Sequence, residues 1–268
     1  MRTSFARRFC PAPGNLRTIC ATAMLLSAMR PAIAEEPVSL TATATFTTDY
    51  RFRGVSQNAR VPAAQGNLDL TGPDGWYGGG FASKVDFADH ENTALELVLY
   101  GGKRLDWHGT TFDVSLNYYG YPDHHPKPGS SRYSSFEGIA SVSRTWDALT
   151  LSGTAAWSPE YFGGGPAWYV AGTASYRMND WLTASATLGE QGSRTWGDTP
   201  GSGYPYTHWD AGVTATFGGL SFDARYGGAS LSERACLLTQ GGRDWCASAL
   251  VLSVSYRMTL AGGGHESP

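Results

Sequence analysis

Apolar and polar residues alternate with a period of two along most of the chain. The alternation is plainest near the start, where Leu40, Ala42, Ala44, Phe46, Thr48, Tyr50 and Phe52 interleave with Ser39, Thr41, Thr43, Thr45, Thr47, Asp49 and Arg51. Successive side chains of a strand point to opposite faces, so this run predicts one long two-faced strand reaching Phe52. The pattern returns at Leu95, Leu97 and Leu99 around Glu96, and at Phe112, Val114, Leu116 and Tyr118 around Asp113, Ser115 and Asn117. Leu149 to Trp157, Trp209 to Phe217 and Leu250 to Met258 repeat it. The runs predict about twelve strands, centred near residues 46, 67, 81, 98, 115, 139, 154, 172, 186, 212, 225 and 252. No segment after residue 34 carries a long run of helix formers with apolar spacing near 3.6, so little or no helix is expected.

Many of these runs exceed eight residues, whereas strands of soluble sandwiches have about five or six and tilted membrane-spanning strands roughly 9 to 11. Connection lengths alternate as well. Gly72-Pro73-Asp74-Gly75, Leu105 to Gly109, Trp146-Asp147-Ala148, Asn179-Asp180-Trp181 and Gly218-Gly219 suit tight hairpins, while residues 121–132, 191–206 and 231–246 are long and fall at the opposite end of the sheet. Short periplasmic turns facing long extracellular loops are the signature of an outer-membrane barrel. Trp76, Tyr77, Trp107, Trp146, Trp157, Trp168, Tyr169, Trp181 and Trp209 lie near strand ends, where interfacial girdles place aromatics. The expected fold is all-β: a single antiparallel up-and-down transmembrane barrel. A secreted soluble β-sandwich acting as a binding module also alternates its faces, and strand length and loop asymmetry speak against it.

The first 34 residues read differently. Arg2, Arg7, Arg8 and Arg17 precede an apolar stretch from Ile19 to Met29 and the small-residue end Ala32-Ile33-Ala34. That is the layout of a secretory signal peptide; the apolar stretch is too short for a spanning helix, and the compact core and Ala-Ile-Ala end favour secretion over a mitochondrial presequence. Cleavage after Ala34 removes five arginines and no acid, leaving 15 basic against 23 acidic side chains and moving the formal charge from −3 to −8. The only lysines are Lys84, Lys103 and Lys127, so no basic stripe exists to follow a phosphate backbone, and nucleic acid is excluded as a partner. Cys10 and Cys20 leave with the leader. Cys236 and Cys246 remain, and in an oxidising compartment a local disulfide is expected; two isolated thiols fall short of the four ligands of structural zinc. The barrel domain is assigned to residues 35–260 and a flexible tail, including a solvated His265, to 261–268.

Thr48-Asp49-Tyr50-Arg51-Phe52-Arg53-Gly54-Val55-Ser56-Gln57, continuing through Pro62-Ala63-Ala64-Gln65-Gly66, resembles the TorF porin family. Gly80 to Asp86, Leu95 to Gly102, Ser158 to Phe162 and Thr207 to Asp210 extend the resemblance across the chain after the leader. It implies a proteobacterial outer-membrane barrel whose solute is poorly defined, and it brings no catalytic residues. One departure is the end of the chain: such barrels commonly finish on an aromatic residue, whereas Tyr256 to Leu260 is followed here by Ala-Gly-Gly-Gly-His-Glu-Ser-Pro.

By parity the lumen is lined by Asp49, Arg51, Asp69, Lys84, Asp86, Glu96, Asp113, Arg177, Asp210, Asp223 and Arg225. Acids outnumber bases, so the expected function is passive passage of small solutes or ions with a weak cation preference, with outer-membrane lipid outside and no cofactor. The rival is a structural or surface-binding barrel whose charges pair and plug a narrow lumen. Asp49, Arg51 and Arg53 share one face and reach the first long loop, where they form either a constriction or a local pairing in which Arg51 meets a carboxylate, Tyr50 and Phe52 anchor in lipid and Gly54 turns the chain. No catalytic site is expected. His208 points inward beside Asp210 with no serine assignable to it, against a lipid-modifying enzyme. Asp123-His124-His125 offers a metal chelate, against which stands its place in a Pro-rich loop, where adjacent histidines usually decorate solvent-exposed turns. Gly78-Gly79-Gly80 and Gly163-Gly164-Gly165 lack the following helix and lysine of a phosphate loop.

Overall fold

The computed structural model describes residues 38–88, 93–125, 133–193 and 205–262, so the expected leader and most of the tail lie outside the described residues. Twelve strands close into one barrel: β1 (Ser39–Thr47), β4 (Ala63–Thr71), β5 (Trp76–Lys84), β6 (Leu95–Trp107), β7 (Thr110–Gly120), β8 (Ser135–Trp146), β9 (Leu149–Ser158), β10 (Ala167–Arg177), β11 (Leu182–Ser193), β12 (Tyr206–Phe217), β13 (Leu220–Ala229) and β14 (Ala249–Ala261). Each pairs antiparallel with its neighbours in the chain, and β1 closes on β14 from Leu40 opposite Ala261 to Thr47 opposite Ser253. Two short strands, β2 (Arg51–Phe52) and β3 (Val55–Ser56), stand outside this sheet as a separate hairpin. Among the described residues one α-helix, α1 (Glu233–Gln240), interrupts the loop between β13 and β14.

The wall is made as the alternation requires. Outward, Leu68, Leu70, Leu97, Leu99, Val114, Leu116, Leu188, Leu250 and Leu252 are exposed, a cost only an apolar surrounding removes. Inward, hydroxyls face one another across strands, as in Thr45 with Ser255 at 2.8 Å and Thr173 with Thr187 at 3.1 Å. At one end the turns are tight. His108 and Gly109 both have positive φ (48° and 75°), matching the right-handed twist of a two-residue hairpin. Trp76, Trp107, Trp146 and Trp181 are exposed at this end, and Trp157, Trp168 and Trp209 at the other. Phe136 and Trp146 mark both belts on β8. Ten residues separate them, roughly 34 Å along the strand and about 25 Å along the axis at the usual tilt, the height of an apolar band.

The sequence expectation fails at one end of one strand. β1 stops at Thr47 instead of running to Phe52, and the chain turns from the wall into the lumen.

Candidate functional site

The inward turn begins with side chains capturing backbone. The Thr47 hydroxyl donates to the Asp49 carbonyl (3.1 Å), and the Asp49 carboxylate accepts from Arg51 Nε (2.8 Å) and the Ser56 hydroxyl (2.6 Å). These bonds fold residues 49–56 into the β2–β3 hairpin, whose tip is Arg53 and Gly54 with φ of 48° and 81°. Gly54 is required twice over. Its φ suits glycine, and a Cβ there would lie 2.7 Å from both the Gly228 carbonyl oxygen and His208 Cβ. Arg51 Nη1 donates to the carbonyls of Ala247 (2.8 Å) and Gly54 (3.1 Å), which ties the hairpin to the loop before β14.

Arg53 carries the hairpin across the lumen. Its Nη2 donates to both oxygens of Glu137 on β8 (2.9 and 2.8 Å), and its Nη1 to Gln191 Oε1 on β11 (2.5 Å) and the Tyr161 hydroxyl (3.3 Å). The guanidinium also lies over the Tyr169 ring of β10 at 3.9 Å and over Phe52 at 4.7 Å. From β1, strand β8 is five places round the barrel one way and seven the other, so the contact is nearly diametric. Both side chains are buried, Arg53 at 7% and Glu137 at 2% exposure. Removing one partner of such a pair strands the other charge, at a cost of about 3–5 kcal/mol.

Tyr50 and Phe52 correct the lipid-anchor reading. Both rings lie inside: Phe52 packs edge-on to Tyr119 and Phe162, and Tyr50 packs against Phe81 and donates to Glu96 (2.7 Å). Tyr121 donates to the other oxygen of Glu96 at 2.7 Å. Burial, then the adjacent Glu96 carboxylate, holds both phenols well above the usual tyrosine range, so they stay protonated and serve as donors.

A stapled loop backs the hairpin. Ser232 caps α1 by accepting from the Ala235 N–H (3.2 Å), Gly241 ends it in the left-handed region, and the Cys236–Cys246 disulfide ties it down. Val55 of the hairpin packs into one core with Tyr206, Cys236, Trp245 and Cys246. The Ser56 N–H donates to the Trp245 carbonyl (3.0 Å), and Arg60 pairs with Asp244 (2.8 Å).

Between the hairpin and the tight turns the lumen is polar. Asp69 accepts from Tyr100 and from Asn67 (2.6 Å); Asp113 accepts from Tyr77 (2.6 Å) and Arg104 (3.2 Å). Arg225 bridges Asp210 (2.5 Å) and Asp223 (3.2 Å) and reaches Ser185. Arg177 sits exposed at the tight-turn rim of β10. Two expected lining residues lie elsewhere. Ser83 is the buried, inward residue of the β5 end, so Lys84 faces out. Asp86 lies beyond the strand, exposed, with its carboxylate accepting from the Ala88 N–H (2.9 Å) and its backbone bridged to Asn58. Arg104 and Arg257 share the inward register and were passed over, as was Glu137. Parity alone could have found Glu137, because Phe136, Gly138 and Ala140 alternate around it outward.

His208 faces inward with Nε2 2.9 Å from the Tyr169 hydroxyl, and its Nδ1 is buried without a partner among the described residues. Asp123 accepts from the N–H groups of Ala94 (3.0 Å) and Leu95 (3.4 Å), and His124 stacks on Tyr133. The Asp-His-His segment thus closes a loop. Among the described residues no three His, Cys, Asp or Glu side chains converge as metal ligands.

This chain is similar to several solved structures. The KdgM porin in complex with disordered oligogalacturonate superposes with a TM-score of 0.51 at 6% identity, covering 81% of this chain and 98% of that one. An outer membrane channel from Pseudomonas putida F1 gives 0.48 at 11% identity (87% and 100% covered), and the P. putida toluene transporter TodX 0.48 at 10% (85% and 91%). No curated protein matches the sequence. A family model described as a bacterial protein of unknown function (Gcw_chp) does match, over residues 31–257, and the chain belongs to that family.

Proposed function

We propose that the protein is an outer-membrane channel, exported behind a cleaved leader, through which small solutes or ions pass, and that the β2–β3 hairpin sets how much of its lumen conducts. The observation that carries this reading is the division of the closed wall into an apolar, aromatic-belted outside and a polar inside. The resemblance to the TorF porin family supports it. Asp69, Asp113, Asp210, Asp223 and Arg225 line the conducting path, with Arg177 at its rim, and Asp49, Arg51, Glu96, Arg53 and Glu137 form the narrowing. The preference among ions is for cations and is weak. His208 Nε2 is engaged by the Tyr169 hydroxyl, and among the described residues no hydrogen bond joins it to a serine, so a Ser-His-Asp arrangement has no support.

A second reading has its own observation. Arg53 with Glu137, Arg51 with Asp49 and Arg225 with two aspartates pair most lumen charges, as expected of a barrel filled for strength. Single-channel recording of the refolded chain in a planar bilayer decides between them. Discrete current steps are expected; silence from protein that migrates as a folded barrel on unheated gels overturns the channel reading in favour of the filled one.

A further inference from the structure

Above the hairpin, at the long-loop end, lies a cavity of about 360 Å³. Its walls are Phe52 and Val55 of the hairpin, Tyr161 and Phe162 of the loop between β9 and β10, and Leu237 and Leu238 of α1. Three features define what fits. The volume is within the range of small-molecule sites, roughly 300–1,000 Å³. Among the described residues no lining side chain is charged, so an ion entering it would lose hydration with nothing from these walls in return. And the amide of Gln191, on the wall nearest Arg53, is already committed: its oxygen accepts from Arg53 and its nitrogen donates to the Trp168 carbonyl (3.0 Å). Polar side chains such as Gln57, Tyr206, Thr239 and Gln240 also line the cavity, so a ring that carries a hydroxyl is served beside the apolar wall.

We infer that this cavity is the solute-recognition site of the channel and takes a small, uncharged molecule with an apolar aromatic ring. Leu237 and Leu238 explain themselves under this assignment. They are 37% and 54% exposed on a helix at the mouth of the barrel, where a polar residue would cost less, and they supply the apolar roof that a ring requires. The site touches the narrowing directly, since Phe52 and Val55 flank Arg53 and Gly54 in one hairpin. Occupancy is therefore felt at the element that crosses the lumen.

This inference rests on the channel reading but is tested apart from it. The refolded full chain in nanodiscs is titrated calorimetrically with 2-naphthol, with 2-naphthoate as the charged match and glucose as the polar ring. Saturable 2-naphthol binding is expected, with the carboxylate weaker by about tenfold or more because no counter-charge lines the cavity among the described residues, and glucose weaker by about tenfold because it leaves the apolar surface of Phe52, Val55, Leu237 and Leu238 uncovered. Leu238→Arg, which places a charge at the roof, and Leu238→Trp, which fills it without charge, both weaken 2-naphthol binding by about tenfold. Leu238 is more than half exposed, so both variants retain the barrel, as gel migration checks. Binding unchanged in both variants, or preference for glucose or naphthoate, overturns the assignment. Saturable binding by a protein that passes no current overturns the channel reading and leaves the site standing; current without saturable binding does the reverse.

Discussion

Arg53 is held by a carboxylate it must cross the barrel to reach, and that makes single residues decisive. Glu137→Gln preserves shape and removes charge, leaving the guanidinium buried with a single amide oxygen in place of a bidentate partner. The inserted hairpin loses about 3–5 kcal/mol. Because the barrel wall does not depend on this pair, larger or more frequent current steps are expected in bilayers, with heat-modifiable migration unchanged. Pairing it with Arg53→Met should recover part of the insertion by removing the stranded charge, and a double-mutant cycle on step amplitude measures the coupling. Additive effects would show that the two residues do not act together. Gly54→Ala tests the same hairpin sterically, since the new Cβ meets the Gly228 carbonyl at 2.7 Å and a φ of +81° opposes it. It too should raise conductance. At this scale the sequence was half legible. The Asp-Tyr-Arg-Phe-Arg-Gly segment stood out, and the pairing of Arg51 and the turn at Gly54 followed from residue chemistry. The inward fate of Tyr50 and Phe52 did not, because their alternation continues that of β1 without a break; the turn at Thr47 depends on Ser56, seven residues beyond the Asp49 it binds.

Among elements, the strands were the most legible. Period-two patterning fixes faces, tight turns fix order, and together they placed twelve strands and all five short connections. The loops were less so, since their conformation is set by contacts far away in the chain. α1 had local signals in the Ser232 cap and Gly241, but eight residues are too few for a periodic pattern to show. The loop that holds α1 acts on the hairpin through Trp245, Ala247 and the disulfide. The bridge closes a short span, so in the chain-entropy picture its loss releases about 2–3 kcal/mol of order locally. Cys236→Ala with Cys246→Ala, or reduction by dithiothreitol, should make residues 230–248 sensitive to protease and the current noisier while the barrel stays folded. Protease resistance and noise equal to the oxidised wild type would separate this loop from the hairpin's control.

For the molecule as a whole, the proposed channel predicts that the lumen's charge sets what passes. Beneath the hairpin, Asp69, Asp106, Asp113, Asp210 and Asp223 share the inward register with Arg104, Arg177, Arg225 and Arg257, so the acidic excess is one charge. Paired charges contribute little to the potential along the axis, because each cancels its neighbour at the distances ions feel. Asp69 differs. Asp106, Arg177 and Arg257 also make no ion pair among the described residues but are exposed, whereas Asp69 is half-buried and accepts only from Tyr100 and Asn67, both neutral. Under the proposed channel reading, selectivity should therefore rest disproportionately on this less screened carboxylate. In a salt gradient the wild-type reversal potential should have the sign of weak cation preference and shrink toward zero at high ionic strength, where screening falls to a few ångströms. Asp69→Asn should abolish that preference, whereas Asp113→Asn, which frees Arg104, should tilt it toward anions. A wild type that already prefers anions sinks the cation assignment, and an Asp69→Asn channel with unchanged reversal potential shows that ions are sorted at the narrowing by Asp49, Glu96 and Glu137 instead of in the vestibule below.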